Sequence, residues 1–211
     1  MLKLTTIDRK SQYTDHPIHA STAHVLVLSM ELWIDQMIWD YRIAISEIGG
    51  TMSASKLLIN LYEYKKWSES SIFDYLLAPD QDKFPEAFTK ALYYLSHINI
   101  VDKIFIARLK GEPPVQTSVV TNETQNIVML EKDFTATNEW LLTYVKNLPE
   151  VEFQDEISFQ FFDGDKGRMT KEQILTHLIT HGLLHKGDIG SILPREIMLG
   201  WKSNYTSFLH R

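Results

Sequence analysis

A chain of 211 residues with 44% hydrophobic and 23% charged residues has the composition of a globular protein with a real core, one domain of ordinary size with room for an appended segment. Its net charge of −6, with acidic residues spread along the chain, argues against a phosphate-backbone partner, which would call for a basic face. The absence of cysteine excludes disulfides, thiolate metal ligands and cysteine nucleophiles, so any thiol in the chemistry arrives on a substrate.

Residues 1 to about 19 are polar and irregular. Lys3, Arg9 and Lys10 precede a weak apolar run without a clear cleavage site, which reads poorly as a signal peptide. The apolar stretch Ala23 to Met30 is short and is followed by Glu31, Asp35 and Asp40, so no membrane span is expected and the protein reads as cytoplasmic. Ser21 or Thr22 can cap a helix to about Ile48, where Gly49-Gly50 stops it; Leu26, Met30, Trp33, Met37, Ile38, Tyr41 and Ile45 keep helical spacing. Met52-Ser53-Ala54-Ser55 opens a second helix to about Ala78, broken by Pro79-Asp80-Gln81-Asp82. Pro85 suits the first turn of a third, to about Leu109, which Gly111-Glu112-Pro113-Pro114 ends. A fourth spans about Thr121 to Leu148, before Pro149.

Val151, Phe153, Ile157, Phe159 and Phe161 then alternate with polar residues, and Asp163-Gly164-Asp165-Lys166-Gly167 reads as a tight turn, together a short hairpin. The turn is not a calcium loop, because the twelfth position is Ile174 where a bidentate Glu is needed. Thr170-Lys171-Glu172-Gln173 has the form of a capping box and starts a helix to about Leu193-Pro194. Residues 201–211 form an aromatic tail. The expected fold is all-α, a helical bundle with a short β-hairpin and an extra N-terminal helical segment. No dinucleotide fingerprint, phosphate loop or serine elbow is present. Trp140, Leu141 and Tyr144 read as core packing on one helix.

Three of the eight histidines, His177, His181 and His185, share the last long helix. A step of four residues turns a helix by about 40° and rises about 6 Å, so neighbours in this row can share an ion, whereas the outer two, about 12 Å apart, cannot easily do so. One helix thus supplies a pair, and a third ligand comes from elsewhere. Small residues after His185 (Gly187, Gly190) admit a close neighbour, and His97 is the histidine in the middle of another predicted helix. The candidate ligands of a divalent metal ion are therefore His97, His181 and His185, an open set that leaves a place for water or substrate. The competing reading of such an i, i+4 pair is a polar stripe or a hydrogen-bonded core pair. His177 then supports the ligands or is exposed, and His16, His19, His24 and His210 are solvated.

Three stretches resemble the DinB-like (DinB/YfiT) family of bacterial metal-binding bundles. They are Tyr64-Lys65-Lys66-Trp67; His97-Ile98 with Asp102 and Arg108-Leu109; and His181-Gly182-Leu183-Leu184-His185-Lys186-Gly187-Asp188-Ile189, which resembles a His-x-x-x-His-Arg-Gly-Gln signature. The resemblance runs from about Met52 to Met198. It implies a four-helix bundle, often a homodimer, with zinc or nickel on the three histidines, and an architecture shared with metal-dependent transferases of low-molecular-weight thiols. Despite the shared name, the family is unrelated to the translesion DNA polymerase. Lys186, Asp188 and Phe105 stand where arginine, glutamine and often tryptophan are usual; the ligand positions are intact, and the changes after His185 are expected at the edge of the site.

The expected organisation is 1–51 as an N-terminal extension (an added helix or a mis-assigned coding start), 52–200 as the metal-binding bundle and 201–211 as a tail. The expected function is a metal-dependent thiol S-transferase acting on a small molecule, with no nucleic acid or membrane partner. Its rivals are a non-catalytic, metal-stabilised binding or stress-related bundle and a metal-dependent hydrolase. No catalytic residue is assigned. Asp188 is a weak candidate base, with a surface charge or a bond to a ligand histidine as its alternative roles.

Overall fold

The structure is a computed structural model that describes residues 53–77, 83–121 and 126–211. The expected helix ending near Ile48 lies outside them. The described elements are α1 (Ala54–Leu77), α2 (Pro85–Lys110), α3 (Ile127–Asn147), a 3-10 turn (Glu150–Gln154), β1 (Glu156–Gln160), β2 (Lys166–Thr170), α4 (Lys171–Ile192), α5 (Arg195–Met198) and α6 (Tyr205–Leu209). Four long helices and one antiparallel hairpin match the expected class. Among the described residues no helix is long and apolar enough to cross a membrane.

Local chemistry sets the ends of these elements. Pro85 opens α2, and Gly111, at φ 73, closes it with its N–H on the carbonyls of Ala107 and Arg108. The Asn126 side chain accepts from the N–H groups of Val128 and Met129, so α3 starts at Ile127 rather than near Thr121. The capping box forms as expected: Thr170 Oγ1 accepts from Gln173 N, and Gln173 Oε1 accepts from Thr170 N.

The alternating run is only partly a strand. After Pro149 the chain tightens into the 3-10 turn, which buries Phe153 and leaves Val151 83% exposed. Pairing begins at Glu156↔Thr170 and ends at Gln160↔Lys166. In a strand Val151 and Phe153 would share a face, whereas at three residues per turn they point about 120° apart, so one is exposed while the other is buried. Across the hairpin, Phe159 lies on Gly167, where an added Cβ would come within 2.3 Å of the ring.

α1 and α2 each pack chiefly against α3 and α4, so the two consecutive helices stand on a diagonal of the bundle. Tyr62 OH donates to Leu175 O at 2.9 Å and Lys186 Nζ bonds Ser68 Oγ, which makes α4 parallel to α1. Phe105 faces His177 while Tyr94 faces His185, which makes α4 antiparallel to α2. The aromatic tail does not trail away. Tyr64 OH donates to Ser203 O at 2.8 Å, Trp201 Nε1 donates to Ser71 Oγ at 3.1 Å, and Phe208 seats against Tyr64 and Trp67.

The core is split. One apolar cluster holds Tyr62, Phe105, Leu141, Phe153, Leu175 and Leu178 at the hairpin end, and a second holds Phe73, Leu76, Phe88, Leu95, Phe134 and Ile189 at the other. Between them lies a layer of buried charge. Lys65 Nζ donates to both Glu69 oxygens at 2.9 and 2.8 Å, to Asp102 Oδ2 at 2.6 Å and to Asn138 Oδ1 at 3.3 Å. Asn138 Nδ2 closes the circuit on Glu69 Oε2 at 2.8 Å. The Lys65 side chain is 2% exposed, and those of Glu69 and Asp102 are 0% exposed. Burial raises the Asp102 pKa, against the pull of Lys65, and lowers that of Lys186 to about 8.

Such a layer adds little net stability over an apolar one, but removing a single partner strands the others in a low-dielectric interior. Lys65→Met is expected to lower the unfolding free energy by about 3–5 kcal/mol, measured by chemical denaturation. A loss below about 1 kcal/mol would show that the carboxylates do not depend on Lys65.

Candidate metal centre

His97 lies in mid-α2, and His181 and His185 lie one turn apart on α4, so the antiparallel packing of these helices turns all three rings toward one point. Taking one ring nitrogen from each, the three lie within 4.8 Å of one another. His181 Nε2 and His97 Nε2 are 3.1 Å apart, and the His185 ring meets the rings of His97 and His181 at centroid separations of 4.9 and 4.6 Å. Nitrogens bound to one ion at about 2.0–2.1 Å sit roughly this close together.

Two of the three rings are oriented by their far side. His97 Nδ1 bonds Val119 O at 2.7 Å, and His185 Nδ1 bonds Asp188 Oδ2 at 2.9 Å. A carbonyl and a carboxylate only accept, so Nδ1 donates in both rings and Nε2 is the nitrogen left toward the site. His181 Nδ1 is buried with no partner among the described residues. Burial, followed by the neighbouring His185, His97, His177 and Lys65, lowers the His181 pKa to about 3, which keeps this ring neutral. Neutral imidazoles are the ligand form, and the set fits a divalent cation.

His177 does not join the group. It lies one turn earlier on α4, with its ring edge-on to Phe105 at 5.2 Å and 5.5 Å from that of His181. Burial lowers its pKa. His210 is exposed and bonds Thr206 O at 2.8 Å; His16, His19 and His24 lie outside the described residues.

Asp188 bonds the candidate ligand His185 rather than standing free as a base. Lys186 departs from the expectation of a site-edge residue. One residue beyond His185 is a turn of about 100°, which carries its side chain into the bundle beside Ser68. Phe105 does reach the site's surroundings: it lines a cleft of about 470 Å³ between α2, the 117–119 loop, the hairpin tip and α4, with His177 and His181 in its wall. Trp140 and Tyr144 stack at 5.0 Å on the edge of the core rather than inside it.

Two features went unread in the sequence. The Val119 carbonyl carries no side-chain signal. The Lys65–Glu69 pair does leave one: two charges four residues apart on the same helical stripe as Leu58, Tyr62, Ile72 and Leu76.

A helical bundle with a three-histidine group beside a cleft belongs to the class of bundles that can hold a metal ion between facing helices. The sequence model of the DinB family matches residues 52–197, and the chain belongs to that family. Comparison with curated proteins and comparison with solved structures each gave no match.

Because Asp188 fixes the His185 ring, Asp188→Ala is expected to weaken divalent-metal binding about 10- to 100-fold in competition with a chromogenic chelator. The melting temperature of the metal-free protein should change little, since this carboxylate is 42% exposed. Unaltered affinity would show that the hydrogen bond does not orient the ligand.

Proposed function

We propose that this DinB-family chain is a metal-dependent thiol S-transferase. In this reading His97, His181 and His185 hold zinc or nickel, and a low-molecular-weight thiol is transferred to an electrophilic small molecule. One observation carries the reading: His181 belongs both to the three-imidazole group and to the wall of the cleft, so a molecule seated there meets the histidine site directly. Three imidazoles, with no fourth protein ligand among the described residues, leave a coordination position open, as catalytic rather than structural sites do. A divalent ion supplies Lewis acidity there, lowering the pKa of an incoming thiol or water.

The chain's own residues do the rest. Val119 O and Asp188 fix the direction of two imidazoles before substrate arrives. Val101, Ile104, Phe105 and Phe161 give the cleft apolar walls that favour an organic molecule over water. The sulfur belongs to a co-substrate, because the chain has no cysteine, and a thiol co-substrate suits a reducing cytoplasm. In the transfer the thiol loses its proton to solvent and a sulfur electron pair forms the new C–S bond. The leaving group departs with the pair from its own bond to that carbon.

The test is metal content by mass spectrometry on protein purified without chelator, beside a His181→Ala/His185→Ala variant checked for helicity by circular dichroism. About one ion per chain, lost in the folded variant, is the expected result. The loaded protein should then accelerate consumption of a thiol by 1-chloro-2,4-dinitrobenzene or by its carboxylate-bearing relative 4-chloro-3-nitrobenzoate, and the variant should not. No bound ion after reconstitution with zinc or nickel overturns the proposal; bound ion without thiol transfer reduces it to a non-catalytic bundle.

A further inference from the structure

Arg108 is buried without an ionic partner among the described residues. It is 8% exposed, near the end of α2, and its Nη2 donates to Gln160 O at 3.1 Å. That is its one hydrogen bond among the described residues, whereas a guanidinium carries five N–H donors. Its flat face is well held: the cation lies 4.0 Å from the centre of the Phe159 ring, 4.7 Å from Phe105 and 5.8 Å from Phe161. Aromatic faces replace part of the hydration lost from above and below. The remaining donors along its edge have no protein partner among the described residues and stay open to the water of the adjoining clefts, where an anion can replace that water. The hairpin is built to hold this side chain in place, since Phe159 rests on Gly167, where no larger residue fits without displacing the ring.

Arg108 lines the same cleft as His181, among Val101, Ile104, Phe105 and Phe161. We infer that the cleft binds a carboxylate-bearing small molecule with an apolar body, the carboxylate on Arg108 and the body against these walls, with its other end toward the histidines. This names the electrophile's chemical class, and it rests on the transferase reading for the chemistry that follows binding. Recognition itself requires no ion. A planar carboxylate matches the guanidinium edge with two charge-assisted hydrogen bonds. A dianion fits less well, because Asp163 also lines the cleft, its Oδ1 accepting from the Asp165 N–H at 3.1 Å. Arg108 also borders a neighbouring recess of about 440 Å³ against Pro113, Pro114 and Ile157. That recess has no histidine in its wall, so the inference assigns the anion to the His181 side.

The probes are 4-phenylbutyrate and its neutral counterpart 4-phenyl-1-butanol, titrated by calorimetry into the full chain stripped of metal. Stripping ensures that any preference for the acid comes from the protein rather than from an ion. The acid is expected to bind about tenfold tighter than the alcohol. Arg108→Gln should abolish that preference while leaving the alcohol's affinity within about twofold, and Arg108→Lys should keep part of it, because the charge stays and the fork is lost. Amide and imidazole shifts on adding the acid should centre on Val119, Phe161, His177 and His181. Equal affinity for acid and alcohol in the wild type, a preference that survives Arg108→Gln, or shifts confined to Pro113, Pro114 and Ile157 would each overturn the inference. Acid binding through Arg108 in a chain that takes up no metal would leave this inference standing and remove the transferase reading alone.

Discussion

The described bundle depends on the ammonium of Lys65. It touches Glu69, Asp102 and Asn138 together, and these side chains come from α1, α2 and α3. Apolar packing alone specifies a bundle weakly, because leucines on neighbouring turns exchange at modest cost. A buried charge with several required partners tolerates no slip: moving α1 by one turn would carry Lys65 and Glu69 away together, leaving Asp102 on α2 without its cation and Asn138 on α3 without its partners. The fourth helix is tied to the same level by Lys186 on Ser68 and by Gly182, where an added Cβ would come within 2.8 Å of Glu69 Oε1. The charged layer thus fixes the relative height of all four long helices, and the two apolar clusters fill in above and below it.

The histidines stand at this level. His97 precedes Ile98 and Asn99, which face the interior, and His181 precedes Gly182, which rests against Glu69. One side of the ligand group is therefore backed by the most constrained part of the bundle. The opposite side opens into a cleft floored by α2 and walled by the hairpin and the 117–119 loop. A rigid back and an open front suit a site that must orient its ligands before a substrate arrives. The hairpin adds little to the core, yet Phe159 and Phe161 supply the aromatic faces that hold the Arg108 guanidinium.

Much of the fold was legible because its signals are local. Pro85, Gly111 and the Thr170 to Gln173 box mark helix ends through backbone chemistry confined to a single turn. His97, His181 and His185 could be named together because four-residue spacing and family resemblance agree. The signals misread were those in which a local pattern has two solutions. Alternation over Val151 and Phe153 suits a strand, yet the chain after Pro149 forms a 3-10 turn because β2 offers a partner only from Glu156 onward. Lys186 sits beside a ligand histidine in sequence, but helical rotation sends it to the other face. Residues 201–211 carry aromatic side chains whose burial is visible only once α1 offers Tyr64 and Trp67 to receive them.

Capping and periodicity, which act within a few residues of chain, were enough to place the described helices, most of their ends and the row of histidines on α4. Only the tertiary structure decided that Val119 and Asp188 orient the histidines, that His177 faces a cleft rather than the ligand group, and that Lys65 and Arg108 are buried with very different partners. Those outcomes depend on groups tens of residues apart meeting at hydrogen-bond range. Burial then makes each meeting consequential, since a charge removed from water must find its complement among whatever the fold brings to it.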